Sequence, residues 1–242
     1  VPDDLVRSDR LCCPTEMGWW SRRRQERELH RAAFEGRIDT FGDFGRGTVG
    51  GADLTPDGIN ETAKALFHQG RRDEALRLWR GLAESGDLTG MANLVIECAA
   101  DGDQDEALEW WRKAVREGLD IPAHDPGLKL RTTGRDRAAE GWWRAAGERL
   151  KDDRSCEYLG ISLRERGEEE EAALALRPAA ERGDPACARE LAALALARAD
   201  RETDPARRRL AAAEGLKWAR KAAAGGDERS RAMLADLEQG PT

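Results

Sequence analysis

The residues of this 242-residue chain best suited to metal or nucleophilic chemistry are three histidines, at 30, 68 and 124, and five cysteines, at 12, 13, 98, 156 and 187. Neither set has the spacing that chemistry needs. Adjacent Cys12 and Cys13 lack the two-residue gap of a zinc-ligating CxxC pair, and no HExxH pattern occurs. No histidine stands in a context that suggests a nucleophile, a base and an orienting acid. Cys98, Cys156 and Cys187 fall within helical patterns, where a free thiol behaves as a small apolar group. The glycine-rich stretch GDFGRGTVGG (42–51) lacks the Gly-Lys-Ser/Thr ending of a phosphate loop and reads as a connector. The stretch DLTPDGINETAK (53–64) opens like a calcium loop with Asp53, Thr55, Asp57 and Gly58. Its twelfth position is Lys64, where a bidentate glutamate is required. These residues give no metal site, no cofactor and no catalytic set. A dispersed site around His124 stays open as an alternative.

Aromatic residues are the next candidates for function. Trp110 and Trp111 stand side by side in DEALEWWRKAVREG, and Trp142 and Trp143 repeat the pair 32 residues later. Neighbours on a helix point about 100° apart, so the two members of a pair cannot face the same surface. The elements carrying them recur. Gly70, Gly102, Gly134 and Gly167 each open a short polar turn, at spacings of 32, 32 and 33, and each turn reaches an alanine at 75, 107, 139 and 172. Four residues beyond those alanines stand Trp79, Trp111, Trp143 and Leu176. A second glycine column follows at Gly86, Gly118 and Gly183, and a looser fifth copy, EGLKWARKAAAGGD (214–227), carries Trp218.

Each unit reads as two helices. Met91, Leu94, Val95 and Cys98 have helical spacing in a first helix, a glycine ends it, and Glu-Ala-Leu starts the second. Thr55-Pro56 and Asp184-Pro185 read as N-caps with proline at the first helical position. Small residues such as Ala114, Ala146, Ala179 and Ala222 suit close helix approach. The period breaks in three places. The stretch DIPAHDPGLKLRTT (120–133) holds two prolines and a glycine, which argues against a full first helix in the third unit. Pro178 falls inside the second helix of the fourth unit and is expected to interrupt and bend it. The fifth unit is longer, with its second helix expected to start at Asp204-Pro205, and residues 227–239 form a last, capping helix. Residues 1–54 do not follow the period: a helix is expected over 15–35, then the glycine-rich loop.

This joint pattern of small, aromatic and glycine columns over residues 55–239 resembles the tetratricopeptide and Sel1-like helical repeats. The W-KA-A segments at 110–114 and 218–222 lean towards the Sel1-like kind. The resemblance implies an all-α, right-handed α-solenoid of about five helix-turn-helix repeats (55–242), preceded by a divergent N-terminal segment (1–54). It implies that Trp79, Trp111 and Trp143 pack between helices. It further implies a concave face, lined by first helices, that binds another protein or peptide through Asn60, Lys64, Phe67, Asn93, Ile96, Tyr158, Ile161 and Arg164. Asn60, Lys64 and Asn93 resemble a carboxylate clamp, although the third unit offers His124 and Asp125 where a clamp wants basic groups. The preceding aromatic column, Trp110, Trp142 and Trp218, is expected at the core margin, partly exposed, as anchor points for a partner.

Charge narrows the choice of partner. The net charge is −7, and 36% of residues are charged. This argues against a general nucleic-acid binder, which displaces counterions with a basic face. The runs Arg22–Arg24 and Arg207–Arg209 have acids nearby and read as solvated helix faces. No stretch reaches the roughly 18 apolar residues that span a bilayer. The first twenty residues lack the apolar core of a signal peptide, so a cytoplasmic location is expected. The skew to 34 arginines against 6 lysines points to a GC-rich bacterial genome. The expected function is a protein- or peptide-binding scaffold without chemistry of its own. Two alternatives stand beside it: a small enzyme or biosynthetic accessory protein with a pocket between 1–54 and 120–135, and a ligand-sensing regulator.

Overall fold

A computed structural model describes residues 55–239, with side chains described to residue 235. The expected helix over 15–35, the glycine-rich loop, Cys12, Cys13 and His30 lie outside the described residues. Within them every regular element is an α-helix. In chain order these are α1 (Pro56–His68), α2 (Arg72–Glu84), α3 (Leu88–Asp101), α4 (Gln104–Arg116), α5 (Asp125–Thr132) and α6 (Asp136–Arg149). They continue as α7 (Asp153–Glu165), α8 (Glu169–Arg182), α9 (Pro185–Arg201), α10 (Pro205–Ala224) and α11 (Glu228–Gln239). None of these helices is long and apolar enough to cross a membrane.

The helix boundaries follow from local chemistry. Thr55 accepts the Gly58 N–H at 3.2 Å, Asp184 accepts that of Cys187 at 2.7 Å, and Asp204 accepts that of Ala206 at 2.8 Å. Each of these caps precedes a proline in the first turn, where no N–H is missed. The stops are equally regular. After α1, α3, α5 and α7 the chain turns through Gly70, Gly102, Gly134 and Gly167, all left-handed. The next N–H then bonds back to Leu66, Cys98, Leu130 and Leu163 at 2.9–3.0 Å. This is the glycine stop that closes the last turn of a helix. The same bond recurs after α2, α4, α8 and α10, at Gly86, Gly118, Gly183 and Gly226. After α6 the equivalent position is Lys151, at φ 60, the one left-handed residue among the described residues that is not glycine.

The chain divides into two compact units between Leu94 and Val95, within α3. In the first, α1 packs on α2, and Ala63, Leu66, Ala75, Leu82 and Met91 are buried. Gly90 lets α3 approach α2, because a Cβ there would meet Leu82 and the backbone of Ala83. In the second, α5 through α11 pack each on the next, with further contacts between α4 and α6 and between α7 and α9. The core here is largely alanine and leucine, with Trp142 and Trp143 fully enclosed. Gly160 is needed where α7 meets α8, since a Cβ would run into Leu176.

The two expected irregularities resolve differently. Residues 119–122 are indeed non-helical, and the first helix of that unit is cut to the eight residues of α5, with Pro126 accommodated in its first turn. Pro178, by contrast, does not interrupt α8, which runs from Glu169 to Arg182. Pro178 is exposed, so the ring sits on the solvent side and the helix forgoes one N–H bond.

Candidate functional site

Among the described residues, Trp79, Trp110, Trp142, Trp143 and Trp218 are buried, so the expected core margin is inside. Trp142 is 0% exposed, Trp218 4% and Trp110 6%, which corrects the expectation that this column is partly exposed. The physical reason is that each ring is covered or bonded where a margin residue would meet water. The Trp142 indole donates to the Ala123 carbonyl at 2.7 Å, and Trp143 donates to the His124 carbonyl at 3.1 Å. Consecutive carbonyls of the irregular segment thus satisfy both members of the pair. Trp110 donates to Glu106 at 3.1 Å and lies beneath Lys113, 4.9 Å from the ring centre. Lys217 and Lys221 lie over Trp218 at 5.4 and 5.5 Å. Long cationic side chains shield these rings with their stems and offer cation–π attraction.

Of the residues expected on the concave face, Asn60, Lys64, Phe67, Asn93, Tyr158 and Arg164 are engaged with their own chain. In the first unit Asn60 is buried, and its carbonyl oxygen accepts from both Trp79 Nε1 and Asn93 Nδ2, at 3.0 Å each. Asn60 and Asn93 therefore meet at the Asn60 oxygen, which Trp79 shares. Lys64 pairs with Glu61 at 2.7 Å on the surface. Phe67 is half-buried, its ring 5.7 Å from that of Trp79. In the second unit Ile96 and Ile161 are half-buried. Tyr158 stacks on Trp143 at 5.4 Å and lies 5.6 Å from His124.

Arg164 belongs to a charge network with no residue-type signal in the period. Its guanidinium donates to Glu190 at 2.5 Å. Arg189 reaches Glu157 at 3.3 Å, Glu190 at 3.4 Å and Asp227 at 2.8 Å, while Arg154 holds Glu157 at 2.6 Å. Glu140 accepts from Ser162 and Arg166, and Glu97 pairs with Arg135. Glu97, Glu140, Glu157 and Glu190 are buried, and each has a cationic partner, as buried carboxylates require. Asp227, which caps α11, has its pKa lowered: burial pushes it up, but the Ser230 bonds and the Arg189 guanidinium outweigh that. The network ties α7, α9 and the start of α11 together.

A cleft of about 580 Å³ lies within the second unit. Its walls are Trp111 and Val115 of α4, the non-helical Leu119–Ala123, and Leu150–Arg154 at the start of α7. It exists because the third unit has a short first helix. Trp111 is the member of its pair that is only half-buried, and its indole N–H has no acceptor, unlike those of Trp79 and Trp143. Val115 is 40% exposed. A second cleft of about 460 Å³ lies over α7 between α6 and α8, with the 68% exposed Leu174 on its rim. Lys151 lines both clefts, its ammonium donating to the Glu148 carbonyl at 2.7 Å.

The remaining groups with potential chemistry among the described residues are His124, Cys156 and Cys187. His124 lies 3.4 Å from Asp125 and 3.8 Å from Asp152, with its Nδ1 buried and unbonded. Cys156 and Cys187 are buried, and burial pushes both thiols up, away from the reactive thiolate. Among the described residues no group of three or more histidine, cysteine or acidic side chains could hold a metal ion. No protein-family profile, curated protein or solved structure matches this chain.

Proposed function

We propose that this chain is a helical-repeat protein of the tetratricopeptide or Sel1-like kind, a right-handed solenoid of about five helix pairs that binds another protein or peptide in a bacterial cytoplasm. It has no chemistry of its own. The observation that carries the reading is the disposition of polar groups. The buried carboxylates answer arginines of the same chain, whereas the accessible cleft beside Trp111 is lined mainly by apolar side chains and open backbone. Such a surface recognises a chain laid on it, with apolar contacts setting affinity and surrounding charges setting specificity.

The test is capture by the full chain from a GC-rich bacterial lysate, followed by titration of each retained protein, purified, against wild type, Val115→Glu and Leu174→Glu. Both substituted residues are exposed, so circular dichroism should be unchanged. The reading expects a protein that binds wild type directly and is weakened by one of the two variants. If no purified protein binds, it fails. One observation favours a second reading, a small-ligand sensor: about 580 Å³ falls within the size range of small-molecule sites. A thermal shift with a small molecule, in the absence of any protein partner, would select it.

A further inference from the structure

Resting on the protein-binding reading, we propose that the cleft beside Trp111 seats an extended peptide segment of a partner that alternates apolar and basic side chains, laid alongside Leu119–Ile121.

Three independent features define that occupant. The first is the backbone. The Leu119 N–H is spent on Ala114 and the Pro122 carbonyl on Asp125, but between them two N–H groups (Asp120 and Ile121) and three carbonyls (Leu119, Asp120 and Ile121) have no hydrogen-bond partner among the described residues. Pro122 keeps Ile121 out of the helical region. Successive residues of extended backbone point these groups to opposite sides, so a second extended chain pairs with the set that faces the cleft, as at a strand edge, which gives affinity through the main chain.

The second feature is the apolar lining. Trp111, Val115, Leu119, Ile121 and Leu150 all border the cleft. Val115 is one of only three large aliphatic side chains exposed among the described residues. Alternate side chains of an extended peptide would point into this lining, and the others would point out to the rim.

The third feature is charge. Of the charged residues on the cleft, Arg154 is taken by Glu157 and Asp153 by Arg182. The Lys151 ammonium is held at the Glu148 carbonyl, and Asp152 caps α7 through the Ser155 N–H at 2.8 Å. Asp120 is exposed and unpaired. The carboxylates therefore outnumber the cations, and the whole chain carries −7. A lysine or arginine on the outward positions of the peptide meets this rim, and a glutamate there is repelled.

The experiment is fluorescence anisotropy with two labelled six-residue peptides, one alternating leucine and lysine and one alternating leucine and glutamate, titrated with the full chain. The lysine peptide should bind at least about tenfold more tightly than the glutamate peptide, with the preference shrinking at about 300 mM salt. Asp120→Lys should weaken the lysine peptide about tenfold or more, and Ile121→Glu should abolish its binding. If Ile121→Glu does not fold, Asp120→Lys, at an exposed position, still decides. Equal binding of the two peptides, no binding of either, or an unchanged affinity in Asp120→Lys overturns the proposal. So does a self-association lost in Ile121→Glu, because the cleft would then seat a second copy of this chain. A purified partner that binds wild type and Asp120→Lys alike removes the cleft assignment and leaves the protein-binding reading standing. Absence of any partner removes that reading.

Discussion

Replacing Trp142 and Trp111 separately by phenylalanine should give opposite lessons, because one indole N–H is satisfied and the other is not. Trp142 is fully buried and donates to the Ala123 carbonyl at 2.7 Å. Phenylalanine there leaves that carbonyl without its donor, at about 1–3 kcal/mol, and adds the loss of ring contacts. Trp111 Nε1 is buried without an acceptor. Phenylalanine at 111 removes an unsatisfied donor, a gain of about 1–3 kcal/mol set against a smaller packing loss, because that ring is only half-buried. The two variants should therefore differ by about 2–4 kcal/mol, with Trp111→Phe near neutral. For a chain of this size that difference corresponds to roughly 4–16 °C in Tm. Urea and thermal unfolding followed by circular dichroism at 222 nm reads it without relying on the tryptophan emission that the substitutions change. A Trp111→Phe variant destabilised as much as Trp142→Phe would refute the reasoning.

Further expectations follow from other positions. Lys151 stands at φ 60 where glycine recurs, so Lys151→Gly should raise stability by up to about 1 kcal/mol, read as a higher Tm. Gly160→Ala should lower it by about 1–3 kcal/mol, because the added methyl meets Leu176 across the α7–α8 contact; an unchanged urea midpoint would contradict that packing. Asp227 has a folded pKa below its unfolded one, so its stabilisation is present above about pH 4 and is lost as pH falls through the lowered folded value. Below about pH 4 the wild-type Tm should fall more steeply than that of Asp227→Asn. Equal slopes would remove Asp227 from the acid response.

Much of the fold was legible because its signals are local. The glycines at 70, 102, 134 and 167 mark left-handed stops, and Thr55, Asp184 and Asp204 mark starts, since each acts within one turn of its own position. The burial of Trp142 beside Trp143 was not legible. Its partner is a main-chain carbonyl at Ala123, and a carbonyl carries no residue-type signature. Pro178 misled for a related reason: proline costs a helix one bond, and surrounding contacts of α8 with α7 and α9 hold the helix through it. The charge network was not legible: Glu157 is the fifth residue after the Asp152 cap and Glu190 the sixth after the Asp184 cap, so the two do not share a register. Asn60 and Asn93 stand on successive first helices, but spacing alone does not reveal that they bond to each other or that Trp79 shares the same oxygen. The cleft was half visible. Ile121-Pro122 announced a break in the helical pattern, but the space it opens beside Trp111 depends on how α4 and α7 flank that break.

Hydrogen–deuterium exchange on the full chain, alone and saturated with its captured and purified partner, tests the central claim most directly. The Asp120 and Ile121 amides have no acceptor among the described residues, so they should exchange fast in the free protein. Binding of a peptide segment in the cleft should slow at least the one that faces the peptide, together with slower exchange around Trp111 and Val115. A partner that binds while those amides keep their free rates would contradict the account.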